Sequence, residues 1–184
     1  MSAALEEQLR SRGLELLGPC AHLSQRSELM DVSALLRDFT AAEADLLGAS
    51  MLLVRAQPGQ LLIAEDEASD WMMLLLRGTV DVGKRKIGAG TDGQEPGDTT
   101  RLAVLKEGAA LGEMSMLDGE PRYASCWALS EVEAAVLSRA AVGRLISTQP
   151  AVGAKLLVKL TQLLAQRLRN TSSQLVKALQ KQSS

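Results

Sequence analysis

From Met51 onward the apolar residues stop recurring at helical spacing. They fall into short runs, MLLV, LLIA, WMMLLL and TVDV, separated by AQPGQ, EDEASD and RG. Runs this short, spaced about 8 to 12 residues apart and broken by Gly, Pro and acidic turns, are too brief for helices and match the strands of an antiparallel sandwich or barrel. Further strands are predicted at Arg101 to Leu105, Ser125 to Leu129 and Ala134 to Leu137, so the β-rich region covers residues 51–138. Between them Gly83 to Thr100, GKRKIGAGTDGQEPGDTT, reads as a long exposed hairpin loop.

On either side the period is helical. Residues 1–50 are expected to be helices. One places Leu5, Leu9, Leu16 and Leu17 within residues 4–17 and stops at Gly18-Pro19, and a second runs from Glu28 to Phe39. A third is opened by a capping box at Thr40-Ala41-Ala42-Glu43 and runs to about Leu47. Residues 139–184 begin with a short helix to Ile146, and after Gln149-Pro150 a long helix spans residues 151–181, about 45 Å. Along it Leu157, Thr161, Leu164, Leu168, Thr171, Leu175 and Ala178 alternate spacings of four and three, a heptad seam that predicts a homodimer. Leu156, Leu160 and Leu163 form a second stripe for the chain's own sheets. The alternative is one broad buried face in a monomer. The fold class is therefore α+β: an antiparallel β-sandwich or jelly roll flanked by N-terminal helices and a long C-terminal helix.

Several function classes are excluded on composition. Apolar residues make up 46% of the chain, enough for a real core, yet no run reaches the roughly 18 residues of a membrane-spanning helix. The first twelve residues carry Glu6, Glu7 and Arg10 and no cleavable apolar stretch, so a cytoplasmic location is expected. Cys20 and Cys126 are too few for a disulfide framework, and His22 is the lone histidine, which leaves no soft metal cluster and no evident base for a nucleophile. Neither an enzyme nor a metalloprotein is expected. All eight cations after Ser138 lie on the C-terminal segment, which lacks acidic residues, but they are spaced along the helix as a solvated face would be rather than clustered.

The chemistry concentrates in residues 108–128, GAALGEMSMLDGEPRYASCWA. Gly112-Glu113 follows a turn, Met114 to Leu117 suffices for one helical turn, Asp118-Gly119 ends it, and Pro121-Arg122 leads into the next strand. The first amides of such a helix, with an arginine beside them, make a phosphate site, since amides and dipole favour the anion and a guanidinium binds it bidentately. A carboxylate there is repulsive unless it accepts a hydrogen bond from another part of the ligand, and a ribose hydroxyl supplies one. The plain alternative is a Glu113–Arg122 ion pair that only staples the loop.

The order Gly112, Glu113, Pro121, Arg122 and Ala124, with Gly59 and Gly78 upstream, resembles the phosphate-binding cassette of the cyclic nucleotide-binding domain family. The resemblance extends over about Leu35 to Leu179. It implies that Glu113 holds the ribose 2′-hydroxyl, Arg122 pairs with the cyclic phosphate, and the Met114 and Ser115 amides complete the cradle. Gln166 to Ser172 is similar to the corresponding helix of bacterial catabolite activators, which implies that the Thr171 and Ser172 hydroxyls meet the base at a subunit boundary; Arg167, one helical turn before Thr171, is placed either to reach back to Glu113 or to face solvent. Two positions depart from the family pattern: Tyr123 stands where Ser or Thr is usual, bulky enough to reshape the pocket, and Ala64 where Gly is usual. The activators continue into a winged helix-turn-helix whereas this sequence stops at Ser184, so direct DNA binding is not expected. The resemblance implies a stand-alone sensor of cyclic AMP, with cyclic GMP or a cyclic dinucleotide as other ligands of the same chemistry, passing its state to an unidentified downstream protein. The second reading is a degenerate scaffold that no longer binds nucleotide.

Overall fold

In the computed structural model, which describes residues 3–86 and 99–182, the run WMMLLL is a strand buried on both faces. Trp71, Met73 and Leu75 point into one apolar cluster while Met72, Leu74 and Leu76 point into another. That explains why the run does not alternate with polar residues, since a strand covered on both sides has no solvent face.

In chain order the elements are α1 (Ala3–Ser11), β1 (Glu15–Pro19), a 3-10 turn at Leu23–Gln25, α2 (Ser27–Val32), α3 (Ala41–Ala49), β2 (Leu52–Ala56), β3 (Leu61–Ile63), β4 (Trp71–Arg77), β5 (Thr79–Arg85), β6 (Thr99–Lys106), β7 (Ala110–Leu111), α4 (Glu113–Asp118), β8 (Ser125–Ala128), β9 (Val132–Ser138), α5 (Arg139–Thr148) and α6 (Pro150–Gln182). Two antiparallel sheets result, ordered β1-β2-β9-β4-β7 and β3-β8-β5-β6. One cluster lies between them and joins Val54, Trp71 and Val136 of the first sheet to Ile63, Val80 and Cys126 of the second. The other fills the space between the first sheet and the helices, where Leu156 and Leu160 of α6 and Leu145 of α5 cover Met72, Leu74 and Leu137. The α+β sandwich with a long C-terminal helix is the fold class expected from the strand spacing.

The N-terminal region differs from the expected run of helices. The helix predicted across residues 4–17 ends at Ser11, and Glu15–Pro19 is a strand paired antiparallel with β2. Gly13, at φ 76°, turns the chain out of the helix, Leu14 is buried in the inter-sheet cluster, and the free edge of β2 offers Glu15 and Leu16 a sheet to join. The helix expected from Glu28 to Phe39 is likewise shorter, stopping at Val32. The capping box at Thr40 is formed, the Thr40 hydroxyl accepting from the Glu43 amide and the Glu43 carboxylate from the Thr40 amide. At the predicted hairpin loop, strand pairing persists through Lys84↔Thr100 and Arg85↔Thr99, and residues 87–98 lie outside the described residues. Gly78, at φ 97°, turns β4 into β5 where a Cβ would come within 2.3 Å of the Glu131 carbonyl oxygen, so only glycine fits. Among the described residues no helix is long and apolar enough to cross a membrane.

Candidate functional site

The cassette closes one end of the sandwich. β7 pairs with β4, the chain turns at Gly112, and α4 starts at Glu113. Gly112 adopts φ 74°, and a Cβ on it would stand 2.4 Å from Arg122 Nη1, so this position needs both glycine's backbone freedom and its missing side chain. The turn points the first α4 amides, those of Glu113, Met114 and Ser115, away from the helix body, where no intrahelical carbonyl reaches them. At the other end of α4 Arg139, the first residue of α5, donates to the carbonyls of Met116 (2.6 Å) and Ser115 (2.8 Å). This ties the cradle to the helical pair α5–α6.

Arg122 reaches the same turn from the segment before β8. Its backbone is pinned to residues 66–67: its amide donates to the Glu67 carbonyl and its carbonyl accepts from the Asp66 amide, both at 2.9 Å. The side chain is only 2% exposed. Nη1 donates to the Gly112 carbonyl and Nη2 to the Trp71 carbonyl, each at 2.5 Å, and the guanidinium lies 4.4 Å from the centre of the Trp71 ring. Nε is buried without a partner. Burial pushes the Arg122 pKa down to about 10, which leaves the group charged near neutrality.

Glu113 is 1% exposed, and its carboxylate pairs with Arg167 of α6 rather than with Arg122. Arg167 also donates from Nη2 to the Ala110 carbonyl. The long helix thus reaches across the cassette and places a cation on a carboxylate that is otherwise out of water, which removes most of the cost of burying it.

Around these groups lies a cavity with about 540 Å³ of empty space, open solvent at its mouth included. Gly112, Glu113, Met114, Ser115, Arg122, Tyr123, Ala124 and Arg167 all line it. Strand residues unremarkable in the sequence, Ile63, Val82, Leu102, Leu105, Leu111 and Cys126, form its apolar wall. The period-2 pattern marks such residues as inward-facing but cannot tell a core neighbour from a cavity wall. The Cys126 thiol is pushed up to about 12 by burial, so it is a wall atom and not a nucleophile. Tyr123 does not fill the cavity. Its ring is 58% exposed under Lys84 Nζ, 4.2 Å from the ring centre.

A second, apolar hollow opens beside the first and shares Met114, Tyr123 and Arg167 with it. Leu164, Leu168 and Thr171 of α6 form its far side. Of the helix hydroxyls expected at the ligand, Thr171 therefore faces this adjoining hollow, and Ser172 is exposed and lines neither space. Among the described residues no group of three His, Cys, Asp or Glu side chains is placed to hold a metal ion.

Comparison with known proteins gives one family. Residues 53–149, just over half the chain, match the cyclic nucleotide-binding domain profile. A CRP-like cAMP-activated global transcriptional regulator of Mycobacterium tuberculosis is 31% identical over 117 residues, 64% of this chain and 47% of that protein, so the match spans about half the length of this curated relative. A cyclic nucleotide-binding domain from Methylobacillus flagellatus superposes with a TM-score of 0.75 at 32% identity, over 89% of this chain and 88% of the other. The catabolite activator protein of Thermus thermophilus does so with a TM-score of 0.67 at 26% identity, over 78% of this chain and 62% of its own.

Proposed function

The chain belongs to the cyclic nucleotide-binding domain family, and from that premise we propose that it is a sensor of cyclic AMP that signals through α6. The observation that carries this reading is the convergence, on one cavity, of a buried carboxylate, a buried guanidinium and the open amides of a helix start. A ribose cyclic phosphate carries a hydroxyl donor, an anionic diester and a flat apolar base. Glu113 accepts from the 2′-hydroxyl, Arg122 and the Met114 and Ser115 amides take the phosphate, and the base lies against the apolar wall toward Thr171. Arg122 Nε, buried without a partner, fits an acceptor arriving in the cavity. The site offers charge and hydrogen bonds to a phosphodiester, which supports binding.

Signalling follows from the two ties between cassette and helices. Arg167 must share Glu113 with the ribose, and Arg139 links α4 to α5, so a ligand that moves the cassette moves α6. The distal half of α6 supports dimerisation: Leu168 and Leu175 are 69% and 59% exposed, and Leu164 and Leu168 border the apolar hollow. A second copy packed along this seam would cover them, with Thr171 near the base.

One observation favours the scaffold reading instead, namely that Arg122 and Glu113 have partners within the chain itself. Calorimetric titration with cyclic AMP, cyclic GMP, a cyclic dinucleotide and linear AMP separates the two. Ligand at 100 times its dissociation constant should add about 2.7 kcal/mol of stability, and for a chain of this size raise Tm by roughly 5 to 10 °C. A scaffold shows neither heat nor shift with any of them.

A further inference from the structure

The N-terminal helix lies outside the family-matched residues and yet touches the arginine's support. Leu5 and Leu9 of α1 are buried in the inter-sheet cluster with Trp71, which carries the helix across the mouth of that cluster. From the same face Gln8 makes two hydrogen bonds. Its Oε1 accepts from Trp71 Nε1 at 2.9 Å, and its Nε2 donates to Glu67 Oε1 at 2.8 Å. The other oxygen of Glu67 pairs with Arg12, one residue past the end of α1.

Both partners of Gln8 hold Arg122. Trp71 supplies the carbonyl that receives Nη2 and the ring under the guanidinium, and Glu67 supplies the carbonyl that receives the Arg122 amide. An indole N–H only donates and a carboxylate only accepts, so the side chain between them must do both. A carboxamide does, and the network leaves it one orientation, oxygen to the indole and nitrogen to the carboxylate. Trp71 is fully buried, so its N–H would pay the whole cost of desolvation if Gln8 were lost, and the ring would turn to find another acceptor.

We propose that Gln8 is a positioning residue for the phosphate-binding arginine: α1 carries a carboxamide clamp that fixes the Trp71 ring and the Glu67 turn and thereby sets the guanidinium of Arg122 for a nucleotide phosphate. The ligand half of this statement rests on the function proposed above. It makes α1 a determinant of affinity although none of its residues lines the ligand cavity.

The test uses the full chain with Gln8→Met, which keeps the length of the side chain and removes both hydrogen bonds. Cyclic AMP affinity, by calorimetry, should fall about fivefold to tenfold, the scale of one buried hydrogen bond. Without ligand, the Arg122 Nε–H resonance should move, because that group lies against the Trp71 ring. Trp71→Phe keeps an aromatic ring under the guanidinium and removes the N–H together with one ring of the indole, so it should reproduce at least most of the loss. The double variant should then lose less than the sum of the two, whereas independent structural roles would add. This variant also keeps the test open should Gln8→Met not fold. Wild-type affinity in the single variants, or an unmoved Arg122 resonance, overturns the proposal. If the wild-type chain binds no cyclic nucleotide, the ligand reading falls by itself, and the Arg122 resonance decides the clamp: moved in Gln8→Met, it holds, and unmoved, it fails.

Discussion

Arg122→Ala should separate stability from ligand binding. The guanidinium satisfies the Gly112 and Trp71 carbonyls and stacks on the Trp71 ring. Leaving two buried acceptors without donors costs about 1 to 3 kcal/mol each, and the lost cation–π contact about 1 to 2. Gly112 lines the cavity, so water reaches its carbonyl, which keeps the total toward the low end, near 3 to 4 kcal/mol. Against this stands the desolvation of the charge itself. A guanidinium pushed down to about 10 has lost on the order of 3 kcal/mol of preference for its charged form, and alanine recovers that. The net loss of stability is then roughly 0 to 1 kcal/mol, a fall in Tm of less than about 4 °C for a chain of this length. Binding has no such compensation, since under the proposed function a phosphate would lose the one buried cation of the cavity among the described residues, and truncating one side of a buried charge pair costs about 2 to 5 kcal/mol, or roughly 30-fold to several-thousand-fold in affinity. Scanning calorimetry without ligand and titration with cyclic AMP read the two quantities on the same samples. A Tm that collapses while affinity per folded molecule is unchanged would mean that Arg122 is a structural brace and no part of a phosphate site.

Glu113→Ala should weaken cyclic AMP but bring its affinity close to that of the 2′-deoxy analogue, because the carboxylate's gain comes from the ribose hydroxyl; equal losses for both ligands, in paired titrations, would assign Glu113 to holding Arg167 alone. Gly112→Ala forces a Cβ to within 2.4 Å of Arg122 Nη1 at a positive φ. It should cost about 1 to 3 kcal/mol of stability and displace the arginine, with a Tm within 2 °C of wild type as the refuting result. Leu164→Asp with Leu168→Asp should yield monomers by light scattering and weaken nucleotide binding as well. A wild-type chain that is already monomeric, or mutant monomers that bind as tightly as it does, would remove α6 as dimer seam while leaving the cassette intact.

What the amino-acid order determined by itself is what depends on neighbours a few residues apart. The Thr40–Glu43 box closes within one helical turn. The cassette turn is written in consecutive residues, because a glycine that must adopt positive φ and the helix start it exposes are local events. WMMLLL announces a buried strand because nothing polar interrupts it. Residues 15–19 show the limit. Their leucines fit a helical repeat, and only the unpaired edge of β2, brought alongside by folding, makes a strand the better way to satisfy their backbone. The same holds for the site's partners. The cassette order marks Arg122 as a candidate phosphate contact, but its partners include a carbonyl 51 positions away on β4, and of the two places open to Arg167, Glu113 or solvent, only the packing of α6 over the cassette selects Glu113, 54 positions away. Gln8 carried no signal at all, since a glutamine on a helix surface is ordinary until the sheet beneath it presents an indole N–H and a carboxylate together. Such pairings are fixed by distances in space, and one-dimensional spacing does not encode those once the contact leaves its own element.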